Sequence, residues 1–243
     1  MGEPWVAGAD GCPAGWLVVR VPGGRPAEAR ATITGTAAEA SALGTPLAID
    51  IPIGLMDTPQ DGPRPVDRAA RAFLAKRAPD DVRAPGSRVF PAPSRAHLDF
   101  FRKTRDYGAL RTAFPPPNAI SVQCFNICGK IAEVDDLLRA SPDATVWEAH
   151  PEIAFAALTG RTLPPKKRPE GRQARESALT ALGFDANALA ARLGPRTGRW
   201  GWDDLLDACV CAHVAGRIAA GRNGTLPDAP DRDSLGLWRA IRF

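Results

Sequence analysis

Trp5-Val6-Ala7-Gly8-Ala9-Asp10-Gly11-Cys12-Pro13-Ala14-Gly15-Trp16-Leu17-Val18-Val19-Arg20-Val21 reads as two apolar strands joined by a turn. Residues 5–10 form the first run, Asp10 to Gly15 supplies turn-forming Asp, Gly and Pro, and Trp16 to Val21 resumes the run, the pattern of a hairpin. Outward from it, Pro22-Gly23-Gly24 makes another turn, and Ala29 to Ile33 supplies a short third strand. A brief alanine-rich helix is expected over 36–43. Pro46-Leu47-Ala48-Ile49-Asp50 then follows as a fourth strand, apolar up to Asp50 and therefore central in a sheet.

The chain changes character after Ile51-Pro52-Ile53-Gly54. Eleven of its 24 prolines fall in residues 51–118, where only Val66 to Lys76 reads clearly as a helix, with a shorter one near Ala96 to Lys103. Long structureless segments are rare in compact domains unless functional, so this stretch reads as an ordered insertion or cap within one domain spanning 1–243. Helical periodicity resumes over 121–140, where Val122, Phe125, Ile127, Ile131, Val134 and Leu138 give a broad apolar face. Ala144 to Glu148 is a fifth strand, and helices are expected over 152–159, 171–182, 185–193 and from Trp202 to about Ala220. With 51–118 set aside, a three-strand meander is followed by helix-linked strands. That order predicts an α/β fold with an RNase-H-like mixed five-stranded sheet, helices on both faces and a Pro/Arg-rich insertion after the fourth strand.

A chain of 243 residues with 44% hydrophobic and 24% charged residues is an ordinary globular composition. No apolar run reaches the length of a membrane span, and the Met1-Gly2-Glu3-Pro4-Trp5 start lacks the basic and apolar regions of a leader. Five cysteines without a CxxC pair suit reduced thiols in a cytoplasmic protein. The net charge of +4 is unevenly spread. Residues 64–111 carry twelve Lys/Arg against five Asp/Glu, and residues 161–199 carry nine against three, so the remainder is net acidic. Basic flanks around an acidic centre suit a polyanionic substrate, a nucleic acid or a phosphoester; a solvated basic surface is the plain alternative.

Four acids stand where strands or helices end: Asp10, Asp50 and Glu148 close apolar runs, and Asp207 lies on the helix that begins near Trp202. In an RNase-H-like sheet the first and fourth strands are neighbours and parallel, so Asp10 and Asp50 emerge together, and Asp207 on the last helix reaches the same point. Unpaired buried carboxylates are costly, and Mg²⁺ or Mn²⁺ is the natural counterion for such a cluster. Two such ions would activate a water and stabilise a departing oxyanion in phosphodiester hydrolysis. Asp203, Asp204 and Asp207 compete as the helix acid. Asp207 is preferred because small Ala208 beside it permits close packing. Each acid taken alone has a plainer reading as a turn or helix-start residue. Gly11 and Gly15 either let a phosphate approach or simply make the turn. Glu148 either binds metal or pairs with Lys166 or Lys167, and His150 is either a proton shuttle or structural.

Several segments together carry a family resemblance. They are Ala9-Asp10-Gly11-Cys12-Pro13-Ala14-Gly15-Trp16, Ala48-Ile49-Asp50-Ile51-Pro52-Ile53-Gly54-Leu55 and Trp147-Glu148-Ala149-His150-Pro151-Glu152. With them go Arg64-x-x-Asp67-x-x-x-Arg71, Ser87-x-Val89-Phe90-Pro91-Ala92-Pro93, Ser121-x-Gln123 and Asp204-x-x-Asp207-Ala208. Over nearly its whole length the chain resembles an uncharacterised family of predicted RNase-H-like nucleases, domain of unknown function family 429. The resemblance implies a metal-dependent nuclease with Asp10, Asp50, Glu148 and Asp207 as metal ligands and His150 beside them. Gly11, Arg64, Arg71, Ser87, Gln123 and Lys166 are the candidates for substrate contact. A looser resemblance to RuvC-type resolvases implies acids on the first strand, the fourth strand and the last helix, and Glu148 on the fifth strand departs from that scheme.

Two rival readings remain. The acids could serve a non-catalytic nucleic-acid or partner-binding protein, neutralised by the arginines of the insertion. An ATP-dependent phosphotransferase of the actin-like type shares the strand order, but needs two such domains and a second Asp-Gly hairpin that the chain lacks.

Overall fold

A computed structural model describes residues 4–60, 62–80 and 82–243. The Met1-Gly2-Glu3 start, on which the leader reading rests, lies outside them. Strands β1 (Trp5–Cys12) and β2 (Gly15–Pro22) form the expected hairpin across Pro13-Ala14, pairing Asp10 with Leu17 and Cys12 with Gly15. β3 (Arg30–Thr34) adds antiparallel to β2, and helix α1 (Ala37–Ser41) leads into β4 (Leu47–Ile49). β4 lies parallel to β1, and β5 (Val146–Glu148) parallel to β4. The sheet order β3-β2-β1-β4-β5 is that of an RNase-H-like mixed sheet.

Alternation along these strands divides the core. Val6, Leu17, Val19, Val21 and Ala48 face one way, and Ala7, Ala9, Trp16, Val18, Leu47 and Ile49 the other. On the first face lie α6 (Pro151–Thr159), α7 (Pro169–Ala181), α8 (Ala186–Leu193) and, closest of all, α9 (Trp202–Ala219). α1 and α5 (Val122–Ala140) cover the second. Gly8 is why α9 comes so near: a Cβ built on it would lie 1.9 Å from the Ala212 amide nitrogen and 2.5 Å from the Ala208 carbonyl oxygen. No side chain fits there, so the helix backbone rests on the strand.

The described residues of the 51–118 stretch join both layers. Its helix α2 (Pro65–Lys76) packs through Val66, Ala70 and Leu74 against Ile153 and Ala156 of α6, and α3 (Arg95–Thr104) packs through Leu98 into the α5 side. A further helix, α4 (Tyr107–Ala113), lies outside the helices expected from the sequence; Asp106 caps it by accepting the Ala109 amide. Also unforeseen is a C-terminal hairpin, β6 (Thr225–Arg232) with β7 (Trp238–Arg242), which meets the main sheet through one parallel bridge between Ala149 and Arg242. Buried Arg95 ties α3 to these parts: it reaches Asp135 of α5 at 2.9 Å and Asp233 of the hairpin turn at 2.5 Å. No helix among the described residues is long and apolar enough to cross a membrane.

Candidate functional site

β1 runs past Asp10 to Cys12 on its β2 side, so Asp10 sits inside a strand and not at its end. On the β4 side, however, the parallel ladder stops at Ala9 opposite Ile49. Asp10 and Asp50 are therefore level, each one residue beyond that pair, and the Asp50 amide donates to the Ala9 carbonyl at 3.0 Å. Both side chains take the face of Gly8 and Ala48, which is the α9 face. Asp207, one turn into α9, completes the group. One carboxylate oxygen from each of Asp10, Asp50 and Asp207 lies within 4.8 Å of the others. Asp204 instead caps α9 by accepting the Gly201 amide at 2.7 Å, and Asp203 is exposed, so Asp207 is the helix acid that joins the strand pair.

These three acids disfavour one another's charge. Burial, then Asp50 and Asp207, push the Asp10 carboxyl well above its ordinary range. Burial raises Asp50 to about 7 and Asp207 to about 6, in both cases against the opposing pull of Lys166. Lys166 donates to Asp207 at 2.7 Å; burial opposes its charge, but Asp207 and then Asp10 outweigh that and hold the ammonium well above its usual range. Three carboxylates against one ammonium leave the cluster short of positive charge. Oxygen-only donors in that state fit a hard divalent cation such as Mg²⁺ or Mn²⁺.

Glu148 is not among the three, and register explains it. Glu148 pairs with Ile49 and so shares Ile49's face, opposite to Asp50; the residue level with Asp50 is Ala149. Its carboxylate is occupied elsewhere, accepting from Arg64 at 2.8 and 3.2 Å and from the Ile53 amide at 2.7 Å. Nor does Glu148 pair with Lys166, whose ammonium goes to Asp207.

Arg64 lines the same cavity but has no donor left for a substrate. Its remaining N–H groups go to Asp67 and to the carbonyls of Ile53 and Gly54. It fastens the start of α2 to β5, which makes it a structural residue. Arg71 donates to the Val89 carbonyl at 2.8 Å, Ser87 is exposed and bonds the Ala84 carbonyl, and Gln123 is exposed in the first turn of α5. None of these three lines the cavity beside the acids.

His150 does line it. It stands before α6 with a buried Nδ1 that has no hydrogen-bond partner, and burial, outweighing nearby acids, lowers its pKa so that the ring is neutral. Gly11 also lines the cavity, but the room left by its missing side chain is taken: a Cβ there would lie 2.6 Å from Lys130 Cδ. Lys130 arches over Gly11, donates to the Gly15 carbonyl and stands 4.5 Å from the centre of the Trp16 ring. Nothing in the sequence sets it apart, because it lies mid-helix in α5. Arg88 and Glu152 also line the cavity and are not among the site residues read from the sequence. They pair at 2.6 Å, and Arg88 also holds the Leu163 carbonyl at 2.7 Å, joining the insertion to α6 and to the loop that bears Lys166.

The cavity measures about 420 Å³ and is lined by the three acids, His150, Lys130, Lys166, Lys167 and an apolar wall that includes Ile51, Pro52, Val89, Phe90 and Ile127. Its acid rim can hold divalent ions, its lysines can meet a phosphate, and its neutral imidazole can accept a proton.

Residues 8–232 match a family described as protein of unknown function (DUF429). No curated protein and no solved structure matches the chain.

Proposed function

We propose that this chain, which belongs to the DUF429 family, is a metal-dependent phosphodiester hydrolase of the nuclease type. The observation that carries the reading is the meeting of Asp10, Asp50 and Asp207 within 4.8 Å, with one lysine to offset three carboxylates. Those acids would hold Mg²⁺ or Mn²⁺. Divalent ions there supply a water of lowered pKa and charge stabilisation for the leaving oxygen.

The chain's own groups do the rest. Lys166 and Lys167 orient the phosphate at the cavity mouth, and the apolar wall limits bulk water. The water oxygen forms a bond to phosphorus as the ester P–O bond opposite it breaks. Neutral His150 accepts the proton lost by the water and returns it to the leaving oxygen, giving a phosphomonoester and an alcohol. The basic stretches of the insertion and of residues 161–199 suit a nucleic acid or other phosphoester, and five free buried cysteines suit a cytoplasmic protein.

Manganese titration of the wild type and of Asp50→Asn, followed by calorimetry and by hydrolysis of a phosphodiester, tests this reading. Wild type binds and hydrolyses, while the variant folds and does neither. Equal hydrolysis by both proteins would overturn the assignment.

A further inference from the structure

We infer that the substrate is presented one nucleotide at a time: the cavity beside the triad receives a single nucleoside phosphate unit, with its phosphoester at the acids and its base on the apolar wall. This deepens the hydrolytic reading and rests on it for the chemistry, but the binding claim stands on the shape and lining of the cavity.

Ligand pockets for small molecules commonly run from about 300 to 1,000 Å³ with apolar walls and a few convergent polar groups. The present cavity, at about 420 Å³, has that make-up: its lining combines acids and lysines with apolar Ile51, Pro52, Val89, Phe90 and Ile127. A groove that tracks an intact duplex needs the opposite, an open surface set with phosphate-binding cations. Here the arginines in the wall are not free for that work, since Arg64 is held by Asp67 and Glu148 and Arg88 by Glu152. Lys167 lines the cavity, is exposed, and has no ion pair among the described residues.

The walls are also fastened. Val89 and Phe90 are held from one side by Arg71, which donates to the Val89 carbonyl, and from the other by Arg88, bound to Glu152 of α6 and to the Leu163 carbonyl. The Pro165–Lys167 segment, which also lines the cavity, is pinned where Arg175 donates to the Pro164 carbonyl at 2.9 Å. Gly171 packs there so tightly that a Cβ would lie 2.1 Å from the Pro165 carbonyl oxygen. A phosphate inside an unbroken duplex would have to enter this cavity, past fixed lining segments, with its partner strand attached. A terminal or free nucleotide needs to bring only one base, and Phe90 offers that base an aromatic surface.

The test uses the full chain with Mn²⁺ and four substrates. These are a nucleoside 5′-monophosphate for binding, its p-nitrophenyl ester for hydrolysis, a single strand with free or blocked ends, and a covalently closed circular duplex. The expected result is binding of the monophosphate by calorimetry, hydrolysis of the ester and no nicking of the circle. Shortening of the strand only when its ends are free marks a strand terminus as the source of the unit; an untouched strand marks a free nucleotide. Phe90→Ala should weaken monophosphate binding, and raise KM for the ester, by at least about fivefold with kcat nearly unchanged, the scale of losing one stacking partner. Ile127→Gln, on α5 and away from the insertion, serves as a second variant, with circular dichroism to confirm folding. Nicking of the circle as fast as the ester is hydrolysed would overturn the inference. So would monophosphate binding that is absent, or indifferent to both variants. Binding that responds to the variants with no hydrolysis of any substrate would instead overturn the proposed function and leave the cavity assignment standing.

Discussion

Lys166 Nζ lies 2.7 Å from Asp207 Oδ2 and 3.5 Å from Asp203 Oδ2, so the buried helix acid of the triad already holds a cation from the chain itself. A divalent ion arriving at Asp207 must compete with that ammonium. Lys166→Met keeps the apolar stem and removes the charge. Mn²⁺ affinity, measured by calorimetry, should rise a few-fold, a modest figure because the Lys166 side chain is 38% exposed and solvent screens it. The metal-free protein should melt at a lower temperature than wild type. Unchanged affinity would mean that Lys166 does not compete for the ligand oxygen.

Asp50→Asn removes one of three mutually repelling carboxylates. Burial raises the Asp50 pKa from 3.8 to about 7, so ionising it in the fold is costly. The variant should be more stable than wild type without metal at pH 7, by roughly 1–2 kcal/mol. Its Mn²⁺-dependent hydrolysis should fall to background. Greater stability with intact hydrolysis would separate the repulsion from the chemistry and remove Asp50 from the ligand set.

The same shifts fix a pH dependence. An acid whose pKa is raised in the fold stabilises it fully below the ordinary value, and that contribution is lost as pH rises through the folded value. For Asp50 the window runs from 3.8 to about 7, and for Asp207 from 3.8 to about 6. Melting temperature in chelator should therefore fall across that range, and Mn²⁺ at neutral pH should restore it. A flat profile, or the same slope in Asp50→Asn, would contradict the burial and repulsion that raise these groups.

How much of this was legible in sequence depends on which physical rule placed each residue. Period-2 alternation puts Val6, Gly8 and Asp10 on one face, and the apolar run before Asp50 marks its strand as central, so the strand pair of acids was readable. Glu148 could not be placed, because a one-residue register difference separates its face from that of Ala149, and register belongs to strand pairing. Lys130 reaches Gly11 across 119 positions of sequence, so only folding brings them together. The C-terminal hairpin was hidden by Pro227 and Pro230, which argue against a strand. It tolerates them with a register shift between Leu226 and Asp231, in a two-stranded sheet where bonding is incomplete.

Arg64 and Glu148 offer a contrast with the triad. Both are buried, and each neutralises the other within a network that includes Asp67. Arg64→Ala strands two buried carboxylates and should cost about 3–5 kcal/mol in denaturant unfolding. Glu148→Gln should destabilise as well, yet leave Mn²⁺ affinity within about twofold of wild type, since its face is turned from the proposed metal ligands Asp10, Asp50 and Asp207. A tenfold loss of affinity in a folded Glu148→Gln protein, about 1.4 kcal/mol, would restore Glu148 as a ligand.

Gly8 sets how close α9, and with it Asp207, comes to the strand acids. A Cβ at this position would meet Ala212 N at 1.9 Å, Cys211 C at 2.4 Å and Ala208 O at 2.5 Å, all of them backbone atoms that no rotamer change can move. Gly8→Ala must therefore push the helix away from β1. Overpacking of a filled core costs about 1–3 kcal/mol or more, and here the helix that retreats carries the third acid. Melting temperature and Mn²⁺ affinity should fall together, although Gly8 touches no ligand. Gly216→Ala, on the same helix but with open space where its Cβ would go, is the control. It should gain roughly 0.5–1 kcal/mol from helix propensity and keep its metal affinity. If Gly8→Ala bound Mn²⁺ as tightly as Gly216→Ala, the close contact between α9 and β1 would not be what assembles the triad.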